Sequence, residues 1–103
     1  MNTNHPTTRN TDFFEFANST YEQCNSEYNE IIREVAADLP GVVELLDIEQ
    51  QVRKSVFSGK IALQDFLLKD GLHLSPMGHE FYFDIVKGPV LSAVERIMQD
   101  LSK

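Results

Sequence analysis

Apolar positions recur every three or four residues over two long stretches of the chain, and each stretch reads as an amphipathic helix. In the first, Phe14, Ala17, Tyr21, Cys24, Tyr28, Ile31 and Val35 fall on one face. Ile32, Ala36 and Leu39 widen that face toward its end. Asp12 with Glu15, or Thr20 with Gln23, has capping-box spacing, so two starts are open. The end is fixed by Pro40-Gly41. The stripe also satisfies heptad spacing. Ala17 and Cys24 are poor seam residues, however, and about three heptads is the lower limit for a coiled coil. A helix lying on a sheet or on another helix is the better reading.

The second stretch opens at Ser75, a good N-cap, with Pro76 at the first helical position, where its missing N–H costs nothing. Met77, Phe81, Ile85 and Val86 form an apolar face. Gly88-Pro89 predicts a kink. Val90, Leu91, Val94, Ile97, Met98 and Leu101 continue the stripe, and Lys103 puts a cation at the helix C-terminus.

Between them, "VVELLD" (Val42 to Asp47) is a short run with β-branched residues after a Pro-Gly break and reads as a buried, parallel strand. Glu44 marks its less covered end. "IEQQVRKSVFSGK" reads as a short helix dissolving at Ser58-Gly59, and "IALQDFLLKD" as a connection with a helical turn. Residues 1–10 are polar, rich in Thr and Asn, and read as a disordered lead-in. The domain proper is expected over residues 11–103. The order helix, strand, short helix, loop, helix is that of an α/β domain. One strand alone leaves its N–H and C=O groups unpaired, which is costly when buried.

Composition narrows the function classes. The 103 residues fit one small domain, and 42% hydrophobic content fits a globular class. A net charge of −7 argues against nucleic acid and against an anionic membrane surface. No apolar run approaches the ~20 residues of a membrane span. The polar start lacks the apolar core of a secretion signal, so a cytoplasmic location is expected. Cys24, the single cysteine, reads as a small apolar filler.

The chemistry is concentrated in "DGLHLSPMGH", residues 70–79. Asp70 precedes His73 by three residues, with Gly71 easing the bend. A carboxylate that bonds Nδ1–H of an imidazole leaves Nε2 free to take a proton from a nucleophile. Ser75 is close in sequence, but its expected task is capping. His73, His79, Asp70 and Glu80 fit no zinc spacing, and "GHE" lacks the second His of His-Glu-x-x-His, so no metal is expected. Phe81, Tyr82 and Phe83 suit an acyl pocket less well than a core.

With its order of elements, "DGLHLSPMGHEFYFDIV" resembles the closing motif of the SGNH, or GDSL-type, hydrolases. The "DGLHLSP-x-G" form looks closest to the isoamyl acetate-hydrolysing esterase branch. The resemblance runs from about Thr11 to the C-terminus. It implies a flavodoxin-like three-layer α/β fold with a parallel sheet, of which this chain is a mostly helical segment with about one strand. It also implies ester hydrolysis through an acyl-serine, without cofactor, with His73 as general base and Asp70 as its orienter. The family needs a serine in a Gly-Asp-Ser block and Gly and Asn donors to the oxyanion. Gly-Asp-Ser, Gly-x-Ser-x-Gly and Gly-x-Asn-Asp are all missing from the sequence. Ser58 before Gly59 is no nucleophile elbow. The expectation is therefore the C-terminal part of such a hydrolase, inactive alone, acting on a small ester only when completed. The alternative is a small acidic helical interaction module that self-associates through its apolar faces.

Overall fold

Thr20 starts the first helix. Its hydroxyl accepts the Gln23 N–H (3.2 Å), and the Gln23 side chain accepts the Thr20 N–H (3.0 Å). This reciprocal capping fixes the start of α1, Tyr21–Asp38. Leu39 closes the helix, and Gly41, at φ +77°, turns the chain away. The computed structural model describes residues 1–11 and 19–102. Phe14, Ala17, the Asp12–Glu15 spacing and Lys103 lie outside the described residues.

α2 (Ile48–Phe57) is capped by Asp47 and ends at Ser58, before Gly59 at φ +78°. α3 (Leu63–Phe66) is a single turn. α4 (Pro76–Leu101) begins at the Ser75 cap, with Pro76 at its first position. It runs through Gly88-Pro89 without a break as one 26-residue helix. At 1.5 Å per residue it spans about 39 Å. It dominates a shape 53 Å long, and the radius of gyration is 16.0 Å, against about 13 Å for a compact chain of this size.

The apolar core sits at the foot of α4. Ile48, Val52 and Phe66 are fully buried, with Leu67 close behind, and Phe81 and Ile85 pack onto them. Burying each such side chain contributes roughly 1.5–3 kcal/mol. Gly78 lets α4 approach this core: a Cβ there would lie 2.0 Å from the Phe66 carbonyl oxygen.

Two expectations are corrected together. Val42–Asp47 is not a buried strand, since Val42 is 79% exposed and Glu44 and Leu45 are also at the surface. Its one ladder contact is an isolated parallel bridge from Leu46 to Asn2. The Leu46 N–H donates to the Met1 carbonyl (2.8 Å) and the Thr3 N–H to the Leu46 carbonyl (3.1 Å). Nor are the first ten residues a loose lead-in, because Thr3, Pro6 and Thr7 are buried. Their ordering comes largely from hydrogen bonds, with the buried Pro6 ring and the His5 ring adding apolar contact. The Asn29 amide accepts from the Asn4 N–H (2.8 Å) and donates to the Asn4 carbonyl (3.1 Å), as a neighbouring strand would. Asn25, one helical turn away, donates to the His5 carbonyl (3.1 Å).

As a result α1 turns a polar face inward. Asn29 and Ala36 are buried, whereas Tyr28, Ile31 and Val35 are exposed. The far half of α4 is similar: Val90, Leu91, Val94, Ile97, Met98 and Leu101 are all exposed. The described residues are mostly helical, and among them extended pairing is limited to isolated bridges. Among them, too, no helix is long and apolar enough to cross a membrane.

A charged knot ties α1 to the start of α2. The Arg33 guanidinium donates to both Asp47 oxygens (2.7 and 3.0 Å), to Glu49 (2.8 Å) and to Glu30 (2.6 Å). Thr3 donates to Asp47 (3.0 Å) and accepts the Glu49 N–H (3.0 Å). The Arg33 hydrogen bond holds the Asp47 carboxyl below its ordinary range, and the two carboxylates raise the Arg33 pKa still further. Glu49 is 7% exposed at its side chain. Removing Arg33 therefore leaves this poorly solvated charge with only the longer contact to the more exposed Arg53 (3.6 Å). Arg33→Met is expected to lower stability by about 3 kcal/mol, read by urea unfolding. A change below a few tenths of a kcal/mol would show the knot to be a surface feature.

Candidate functional site

The Asp70–His73 turn is built by an antiparallel bridge between Leu67 and Leu74. Within it, the Leu68 N–H donates to the His73 carbonyl (2.8 Å), and the Gly71 N–H to the Leu68 carbonyl (3.0 Å). Gly71 sits at φ +70°, the left-handed region where a side chain is strained. A Cβ there would also lie 2.6 Å from Thr8 Oγ1.

Asp70 uses both oxygens. Oδ1 accepts the backbone N–H groups of Leu72 (2.9 Å) and His73 (3.0 Å). Oδ2 lies 2.5 Å from His73 Nδ1. An ionised carboxylate only accepts, so Nδ1 carries a hydrogen, and in the corresponding neutral tautomer Nε2 is the acceptor. The hydrogen bond to the His73 ring, followed by those from the two backbone N–H groups, holds the Asp70 carboxyl down at about 2. The His73 side chain is 69% exposed and that of Asp70 36%. The two residues singled out in the sequence are thus brought together, with the carboxylate on the Nδ1 side of the ring.

Ser75 is structural. Its hydroxyl accepts the Gly78 N–H (2.9 Å) and donates toward the Asp65 and Phe66 carbonyls (2.5 and 3.1 Å). His79 and Glu80 are exposed on the first turns of α4. Among the described residues, no group of three or more His, Cys, Asp or Glu side chains is arranged to hold a metal ion. Phe81 and Tyr82 are half-buried against the core, whereas Phe83 is 61% exposed. The half-buried Cys24 thiol donates to the Ser19 hydroxyl (3.3 Å) and lines a groove of about 330 Å³ with Tyr21, Tyr28 and Leu72.

The part of the site that sequence reasoning missed comes from the N-terminal segment. The N–H groups of Thr8 (2.8 Å) and Arg9 (3.2 Å) both donate to the Gly71 carbonyl. His5 Nε2 donates to the Leu72 carbonyl (2.9 Å). Its ring stands edge-on to Phe66 and Tyr82, at 6.0 and 6.4 Å between centroids. His5-Pro6 carried no periodic signal that would have marked it. Set beside protein-family models, curated proteins and solved structures, the chain matches none.

The low Asp70 pKa has a signed consequence. A carboxyl held below its ordinary value of about 3.9 stays ionised in the fold as pH falls past that value. The contact with His73 is therefore present above pH 4, persists through pH 3, and is lost as pH falls through about 2. Side-chain carbon NMR of Asp70 checks this. Titration at an ordinary carboxylate value would contradict it.

Proposed function

We propose that the chain is the C-terminal portion of an SGNH, or GDSL-type, serine ester hydrolase working in the cytoplasm. The observation carrying this reading is the 2.5 Å contact between Asp70 and His73 Nδ1, with Nε2 left to accept. In the proposed reaction, His73 Nε2 takes the proton of a serine hydroxyl as it attacks the ester carbonyl. Asp70 stabilises the imidazolium, which then returns the proton to the departing alcohol. Water repeats the cycle on the acyl-serine. The serine and the oxyanion donors come from residues not in this sequence. Further support comes from the exposed apolar faces, which the other layers of a larger domain would cover.

Triad members act as a unit. Loss of the serine costs roughly 10⁶ in turnover in a studied triad, and each oxyanion donor about 10²–10³. The 103-residue chain is therefore expected to hydrolyse a short-chain aryl ester no faster than its His73→Ala variant. The coding sequence upstream of Met1 is expected to carry an in-frame Gly-Asp-Ser block. Including that block should produce hydrolysis that His73→Ala lowers by about 10⁴–10⁶. An upstream region lacking the block, or His73-dependent turnover by the short chain, would overturn this function.

The exposed stripes on α1 and α4 favour a second reading, a helical module that self-associates. It predicts a stable oligomer by size-exclusion chromatography, indifferent to His73→Ala.

A further inference from the structure

The peptide units on either side of Leu72 each make hydrogen bonds from both ends. In the first unit, the Gly71 carbonyl accepts from Thr8 and Arg9, while the Leu72 N–H donates to Asp70 Oδ1. In the second, the Leu72 carbonyl accepts from His5, while the His73 N–H donates to the same Oδ1. A trans peptide is planar, with C=O and N–H pointing in opposite directions. Fixing the oxygen of such a unit therefore aims its hydrogen. We infer that residues 5–9 form a strap that positions the Asp70–His73 pair, with His5 as a positioning residue acting through the Leu72 peptide.

The strap gives the turn a rigidity that its own residues lack. Asp70, Gly71 and Leu72 make no helix or extended strand, and Asp70 and His73 are exposed. Held only by its own bonds, such a turn would sample several arrangements of the two N–H groups. The strap is itself anchored. Thr3 bonds Asp47, Asn4 is paired with Asn29, and the His5 ring packs between Phe66 and Tyr82. Gly71 completes the fit, because any side chain there would strike Thr8. Polarisation along each peptide also strengthens the N–H bonds that the carboxylate receives. The catalytic meaning of the strap rests on the hydrolase reading, but its geometry does not.

Two variants separate positioning from packing. His5→Phe keeps an aromatic ring against Phe66 and Tyr82 but cannot donate. His5→Gln gives up the ring but can still donate. If the strap aims the peptides, His5→Phe raises the Asp70 pKa from about 2 toward the ordinary value near 3.9 and mixes the His73 tautomers in nitrogen NMR. His5→Gln keeps both nearer the parent. A packing role gives the opposite order and would overturn the inference. The unmodified chain decides the matter if a variant fails to fold. Amide hydrogen exchange should then show Leu72 and His73 protected together with Thr8 and Arg9. Free exchange at Leu72 and His73 beside protected Thr8 and Arg9 would also overturn it. A strap that fails leaves the ester hydrolase standing, and an upstream region without a serine block leaves the strap standing.

Discussion

The amide of Asn29 bonds both backbone groups of Asn4, and this exchange admits a segment with little apolar surface into the fold. A buried peptide group without a partner costs of the order of a lost hydrogen bond or more. Residues 1–9 meet that demand on several sides. Met1 and Thr3 pair with Leu46, Asn4 and His5 with α1, and His5, Thr8 and Arg9 with the turn at Gly71 and Leu72. The segment thereby joins the first helix to the candidate site. Without it, α1 would keep the Arg33 ion pairs at its far end, without the Thr3 bonds to Asp47 and Glu49, and would lose the tie that Asn4 and His5 make to the Asp70–His73 turn.

The balance of forces explains why polar contacts matter so much. Among the described residues, the fully buried apolar side chains are few and gathered near α2, α3 and the foot of α4. Large apolar side chains on α1 and on the far half of α4 stay in water. Among the described residues so much apolar surface lies open that hydrogen-bond and charge networks carry much of the defined shape. The Arg33 knot and the Asn29–Asn4 pairing are two of these, and both use residues that a hydrophobic pattern passes over. The exposed stripes are also what a segment of a larger layered domain would present.

Local signals in the sequence were good guides to helix boundaries. Ser75-Pro76, the Thr20–Gln23 spacing and Pro40-Gly41 each act within one turn of the chain, and each appears where its local chemistry requires. The pairing of Asp70 with His73 was legible for the same reason, since three residues and a glycine suffice to close it. The strap and the Arg33 knot were not. Their partners lie many residues apart, and Thr, Asn and His in a polar run look the same whether solvated or bonded to a distant carbonyl. The inward face of α1 was misread because periodicity marks where apolar residues fall, not whether anything covers them. "VVELLD" was misread as buried for the same reason.

The most direct test of this account removes residues 1–9 and compares the two-dimensional amide spectra of the long and short chains. Loss of the dispersed Leu72 and His73 resonances, with α2 and α3 signals retained, is the predicted result. A short chain whose Asp70 to Ser75 resonances match those of the full chain would contradict it, because the turn would then need nothing beyond itself.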